Sequence, residues 1–457
     1  MLLEHGNPYR PHLPEVLSLG WEDFDFQLSA GNEDAVDRLG DWTVLAYLAA
    51  DCDLAAPMFD DLLEMKSVGS DRSLHLCVLF DGPLVTDAFF ARLNKDTTLR
   101  DDVVFRWPEL PTNDVRTFVM AQQVAKAFPA TRRLLFLGGH GNGWKGLLLD
   151  QNIGRTYESA PDRIQWPGPP EQCFARMARC RGAAQERVNQ RIVEDANSTR
   201  KGYDVLALDA CYMGNIEAIA GLAEHADILV VSEDLMPGEG YPYDRVLHDL
   251  RANPAQSPAD FARHLVAAAQ SYYGGAGRTH RPITQVALHS AELPAFAAAL
   301  VRLTQSLVLA MDDDEVLRAI RHAINMAHRF GSTGNIDLKG FVQLLLARQL
   351  PGNIAGDCTA VLDAWNRMVF ASAVPGTPAS PNGLSIYAPG PREFDVAYIE
   401  CSNGFAHHLG IWSWFLASYY LRVLGDDAQE HHLIKAIRNA MAEQMKRGAY
   451  VPGQQAP

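Results

Sequence analysis

Five short apolar runs punctuate the first half of the chain: TVLAYLAA (43–50), LHLCVLF (74–80), RLLFLGG (133–139), DVLALDA (204–210) and DILVVSE (227–233). Their apolar residues are contiguous rather than alternating, so each reads as a strand buried on both faces, the pattern of a mainly parallel sheet. Helical periodicity fills the gaps. Thr112 to Phe128 sets Phe118, Ala121, Ala125 and Phe128 on one face, and Ile216, Ile219, Ala220 and Ala223 form a similar stripe. Strands alternating with helices predict an open three-layer α/β/α sandwich, whose functional groups gather beyond the carboxyl ends of the strands.

The pattern changes on either side of this core. Residues 1–41 are rich in Pro, Gly and acidic groups without periodicity and read as an N-terminal arm, which leaves 42–256 as the α/β core. Within it, 151–202 is long for a connection. It contains the Trp-Pro-Gly-Pro-Pro break at 166–170 and an arginine-rich segment, and so is a linker or processing loop. From 257 to 457 the chain is mostly helical and completes or covers the core. Ser257-Pro258 starts a helix carrying Phe261, Leu265 and Ala268 on one face, and further helices are expected at 291–310, 314–329, 354–372, 405–423 and 427–446. Residues 283–289 and 383–389 are expected to add strands.

Composition narrows the function classes. With 47% apolar residues over 457 positions the chain can bury a large core. Its 40 basic and 55 acidic residues give a net charge of -15, and no basic patch offsets it, so neither nucleic acid nor an anionic membrane is an expected partner. No apolar run is seen that would span a bilayer. The opening residues MLLEHGNPYRPHLPEV lack the apolar stretch of a secretory signal, so the expected location is the cytoplasm, or outside the cell for a chain whose N-terminus is already processed. Seven dispersed cysteines do not form a disulfide framework and are expected to be mostly reduced and buried.

Two predicted strands end in residues with chemistry of their own. RLLFLGG runs into His140-Gly141-Asn142-Gly143-Trp144, and DVLALDA runs into Cys211-Tyr212-Met213-Gly214. In one parallel sheet they would present an imidazole and a thiol on the same rim. The thiol is a weak nucleophile until it loses its proton, and an imidazole within reach can take that proton and later return it to a leaving amine. Gly141 permits a close backbone approach, so its N–H and that of Cys211 are candidate oxyanion donors. A buried structural cysteine and a turn histidine are the plainer alternatives. A phosphate loop is not supported, because GGHGNG fits neither the Gly-x-x-x-x-Gly-Lys nor the Gly-x-Gly-x-x-Gly spacing.

The segments LAADCDLAAPMFDDLLEMKSVGS (47–69), LHLCVLFDG (74–82), HGNGW (140–144), LDACYMGNIE (208–217) and SEDLMPGEGYPY (232–243) follow one another in an order that resembles the clostripain-like cysteine peptidases. NIDLKGF (335–341) and GLSIYAP (383–389) extend the resemblance to about Pro389. It implies a caspase-like α/β sandwich with His140 as general base and Cys211 as nucleophile. It further implies protein or peptide substrates cleaved after Arg or Lys, with Asp209 in the pocket for the basic side chain. Ser232, Glu233 and Glu239 are candidates for another wall of that pocket. Relatives mature by a cut between the His and the Cys, which makes Arg200 or Lys201 in NSTRKG a candidate processing point.

The chemistry needs no cofactor. Calcium is a candidate ligand of the acidic pair Asp51 and Asp53, which the resemblance includes, although Cys52 stands between them where the family often has asparagine. No zinc set is seen: Cys173 and Cys180 are too widely spaced, and His407-His408 and His431-His432 lie in helical segments where neighbours diverge. Two other function classes stay open, a catalytically silent scaffold and another thiol acyl-transfer enzyme. The sequence does not define an oligomeric state.

Overall fold

A computed structural model describes residue 35 and residues 38–84, 87–107, 110–112, 115–148, 202–274, 283–374, 380–401, 406–425 and 431–446. The expected arm at 1–41 and the 151–202 loop therefore fall largely outside the described residues, as do Arg200 and Lys201.

Five strands form the expected parallel centre: β1 (Gly40–Ala49), β2 (Leu74–Asp81), β5 (Ala130–Gly138), β6 (Tyr203–Asp209) and β7 (Ala226–Ser232). They lie in the order β7-β6-β5-β1-β2, and nearly every residue of β1 and β2 is buried, which is why their sequences show no alternation. Four antiparallel strands, which the sequence pattern did not resolve as a group, extend the sheet to nine. β3 (Ala88–Arg92) and β4 (Val103–Trp107) follow β2 at one edge; β8 (Gln285–His289) and β10 (Val369–Ala373) follow β7 at the other. β10 occupies the end of what periodicity reads as one helix over 354–372, because Val369, Phe370 and Ala371 suit a pleated edge as well as a helix end. β9 (Asn335–Asp337) and β11 (Ser385–Tyr387) form a separate two-stranded ribbon.

Helices cover both faces. On one side lie α1 (Ala55–Val68), α4 (Tyr243–Ala252) and α5 (Pro258–Gly274), burying Phe59, Leu62, Val246, Leu250, Phe261 and Leu265 against Val44, Phe136 and Val230 of the strands. The other face receives α2 (Val115–Ala125) and α3 (Ile216–Leu222). It also receives the C-terminal helices α6 (Leu293–Ala310), α7 (Asp314–Met326), α8 (Leu338–Leu346), α9 (Ile354–Met368) and α10 (Ala406–Leu424). α11 (His431–Lys446) packs on α10. The Asp312-Asp313-Asp314-Glu315 run is a helix start, with Asp313 accepting from the N–H groups of Glu315 and Val316.

One sequence reading needs correction here. Ser290–Ala310 is, among the described residues, the one helical stretch long and apolar enough to cross a membrane. It escaped notice because Glu292 and Arg302 interrupt it. Its Phe296, Leu300, Leu303 and Leu307 are buried in the core beside α9 and α10, so the apolar stripe already has protein partners.

Candidate active site

Backbone register brings the site together. Gly138 of β5 is paired with Asp209 of β6, and Leu48 of β1 with Gly138. His140 and Cys211 therefore each stand two residues beyond a paired position on neighbouring parallel strands, which run about 4.8 Å apart. The Gly139 N–H donates to the Asp209 carbonyl at 3.2 Å and carries the alignment past the last regular pair. β1 leads to β2 on one side while β5 leads to β6 and β7 on the other, so the chain reverses its direction of travel between β1 and β5. Crevices at such reversals are where open α/β sheets bind ligands.

The His140 loop is closed on itself. Leu148 N–H donates to the His140 carbonyl at 2.9 Å, Asn142 N–H to the Gly146 carbonyl at 2.9 Å, and Gly141 bridges to Leu147. Buried Trp144 packs edge-on against Tyr387 and Tyr398, with ring centroids 5.1 and 5.0 Å away, and so pins this loop to the C-terminal part of the chain. A Cβ on Gly141 would lie 2.4 Å from the Cys211 carbonyl oxygen; only glycine lets the two loops approach this closely.

Each member of the expected pair has another partner. His140 Nε2 lies 2.6 Å from a carboxylate oxygen of Asp53, which follows β1 and is 76% exposed. The Cys211 sulfur, half-buried, accepts from the Met236 N–H at 3.4 Å, and its S–H faces the Met236 carbonyl at 3.8 Å. Burial pushes its thiol pKa up, and the Met236 N–H partly offsets this. The other cysteines with described side chains, Cys52, Cys77 and Cys358, are buried, as expected, and none of the four is in a disulfide.

Asp209 is buried on the Cys211 side of the sheet, where one carboxylate oxygen accepts from Tyr243 Oη at 2.9 Å and from the Tyr241 N–H at 3.2 Å. Burial raises its pKa to about 6. A second carboxylate shares the region. Asp61 of α1 is held well above its ordinary range, first by burial and then by the charge of Asp209, with exposed Glu239 adding to the effect. Gly240 separates the two, since a Cβ there would lie 2.4 Å from an Asp209 oxygen and 3.0 Å from one of Asp61. Asp61, Tyr241 and Tyr243 were missed from the sequence. A signal for Asp61 existed: it falls on the buried stripe of α1 with Met58, Leu62 and Met65.

Ser232 and Glu233, the other candidates for this pocket, each have partners outside the Asp209–Asp61 pair. Ser232 is fully buried and shares a hydrogen bond with Thr284 at 3.2 Å. Glu233 is fully buried too, accepts from the Gly383 N–H and faces Asp337; burial and then the neighbouring Asp337 raise its pKa well above the ordinary range, while burial raises Asp337 against the opposing effect of its hydrogen bond with Glu233. Ser232 thus ties the end of β7 to the segment leading into β8, and Glu233 ties it to the C-terminal ribbon.

Calcium does not fit the acidic pair. Asp51 is buried while Asp53 is exposed and engaged with His140. Among the described His, Cys, Asp and Glu side chains, those whose ligand atoms gather within 4.8 Å of the Asp53 carboxylate and of each other are Cys52, with its sulfur, and His140, with an imidazole nitrogen. That is not the oxygen-rich cage a hard cation takes.

Among solved structures, a secreted C11 cysteine protease from Bacteroides thetaiotaomicron in complex with an irreversible peptide inhibitor is 21% identical; the likeness covers 80% of this chain and 99% of that one, with a TM-score of 0.54. An inactive zymogen C11 protease from Parabacteroides distasonis is 18% identical over 80% of this chain and 98% of its own, with a TM-score of 0.51. A third, the secreted protease iotapain from B. thetaiotaomicron, is 14% identical over 76% and 94%, with a TM-score of 0.54. No curated protein sequence matched. The fold is the caspase-like α/β sandwich of these cysteine proteases, and this chain carries a thiol on its rim. The Clostripain family model matches residues 181–347, which contain Asp209 and Cys211 but not His140, and over that segment the chain is similar to this family. The cytoplasmic expectation is overturned, because two of these similar structures are of secreted enzymes. The lack of an apolar stretch in the opening residues does not decide the compartment.

Proposed function

We propose that this chain is an endopeptidase cleaving after Arg or Lys, with His140 as base and Cys211 as nucleophile. The observation that carries the reading is the Gly138–Asp209 register, which supports a thiol and an imidazole on adjacent strand ends with paired buried carboxylates beside them. His140 takes the Cys211 proton, and the sulfur attacks the carbonyl carbon of the scissile bond. The N–H groups of Gly141 and Cys211 receive the developing oxyanion, and the imidazole returns the proton to the leaving amine. Water then releases the acyl group from sulfur. No cofactor takes part in these steps.

Two carboxylates crowded together out of water favour either a proton or a cation between them. A guanidinium or ammonium entering beside Asp209 and Asp61 supplies that cation, which is the argument for a basic residue ahead of the cleaved bond. Arg200 and Lys201 would then be bonds the enzyme recognises in its own chain. The secreted relatives support a place of action outside the cytoplasm.

The test is cleavage of a peptide library by the wild type, Cys211→Ala and the double variant Arg200→Gln/Lys201→Gln. Cleavage after Arg and Lys that Cys211→Ala abolishes is expected, with the double variant remaining a single chain. Turnover indifferent to the residue ahead of the bond sinks the pocket assignment. Activity surviving in Cys211→Ala sinks the nucleophile.

A further inference from the structure

Cys52, Asp53 and His140 come from two different strand ends, 87 residues apart for the Asp–His pair, and their ligand atoms lie within 4.8 Å of one another. They offer a sulfur, a carboxylate oxygen and an imidazole nitrogen. We propose that these three side chains form an inhibitory zinc site, in which the metal holds the imidazole away from Cys211.

The geometry needs little change. Zinc bonds of about 2.0–2.3 Å in a tetrahedron put neighbouring ligand atoms roughly 3.2–3.8 Å apart. The Asp53–His140 separation of 2.6 Å has to open by less than an ångström, while the Cys52 sulfur, now 3.7 Å from the Ala49 carbonyl, turns inward. The three residues sit on rigid supports, since β1 and β5 are paired residue for residue up to Leu48 and Gly138. Asp53 is 76% exposed, so an ion has a route in and a fourth position for water.

Donor type decides the metal. A thiolate with an imidazole and a carboxylate suits a borderline-soft ion such as zinc and is poor for calcium or magnesium. Binding releases the Cys52 thiol proton to solvent, so affinity rises with pH. With Cys52 and Asp53 both anionic, the ion's charge is balanced without any change at Cys211. The site was invisible to spacing rules because Cys52 and Asp53 are adjacent in sequence and their partner lies on another strand.

The inhibitory consequence rests on His140 serving as base; metal binding does not. Zinc is therefore titrated calorimetrically into the full chain carrying Cys211→Ala, which has no nucleophile thiol, with cobalt(II) as a spectroscopic substitute. One ion per chain and a thiolate-to-cobalt band are expected. Adding Cys52→Ala, or Cys52→Asn as a second variant, should remove the band and weaken binding roughly tenfold or more. In the chain with Cys211 intact, zinc should block peptide cleavage, a chelator should restore it, and Cys52→Ala should cleave normally while needing roughly tenfold more zinc for inhibition. Equal binding in the Cys52 variants overturns the proposal, as does loss of binding in Cys211→Ala, which would put the ion on the nucleophile. If the intact chain fails to cleave peptides while Cys211→Ala still binds zinc through Cys52, the peptidase reading fails and the metal site stands.

Discussion

The backbone of Gly141 lies against the carbonyl of Cys211 so tightly that one added methyl group would come within 2.4 Å of that oxygen. Gly141→Ala is therefore expected to push the histidine loop away from Cys211 and, on the proposed mechanism, to misalign the Gly141 N–H with the oxyanion. A fall in kcat of about 100-fold, the scale of losing one such donor, is the expected outcome. Steady-state kinetics beside a thermal melt check it; an active Gly141→Ala enzyme would show that the two loops are not coupled.

On the proposed reading Asp209 holds a basic side chain when ionised, and burial raises its pKa to about 6. KM for arginyl peptides should thus fall as pH rises through about 6, and Asp209→Asn should remove that dependence while weakening Arg substrates more than neutral ones. The pH dependence of KM for Arg against norleucine peptides is the measurement. Parallel profiles for the two substrates would exclude Asp209 from recognition.

Glu217 is fully buried beneath the ribbon, accepting from the Tyr387 N–H at 2.9 Å and Tyr398 Oη at 2.7 Å, and burial raises its pKa to about 7. The folded chain holds this proton at pH values where the unfolded chain has lost it, so its stabilising contribution is full below about 4.5 and is lost as pH rises through about 7. The loss is on the order of 3 kcal/mol. Buried Glu233 and Asp337 shift in the same direction and add to the trend. Urea unfolding from pH 5 to pH 8 should show declining stability, with a shallower decline in Glu217→Gln, which keeps an acceptor for both donors.

A calcium-selective chelator is expected to leave cleavage unchanged, since the ionisable side chains gathered at Asp53 offer a sulfur and a nitrogen rather than further carboxylates. Asp53→Ala, by contrast, should lower kcat about tenfold by freeing the imidazole it now orients. Activity that collapses with the chelator would show that calcium acts on this enzyme.

The parallel strands were legible because burial on both faces leaves unbroken apolar runs, and their ends announced His140 and Cys211. Side-chain alliances between distant segments were less legible. Nothing local separates Glu233, which faces Asp337, from Asp209, which faces Asp61, although both acids follow apolar strands. The antiparallel edges were also obscure: AFFAR and VVFRW are too short for periodicity to separate strand from helix. The aromatic nest of Trp144, Tyr387 and Tyr398 joins residues whose sequences give no hint of one another.

Asp209 closes β6, and Cys211 comes two residues later on the same side of the sheet. On the proposed reading, the group that reads the substrate closes the strand and the group that cuts it opens the turn just beyond, with Ala210 the sole residue between them. The offset between the recognised side chain and the cleaved bond is then set by one short stretch of backbone. Inserting or deleting a residue there would uncouple recognition from cutting rather than retune the enzyme to a neighbouring bond.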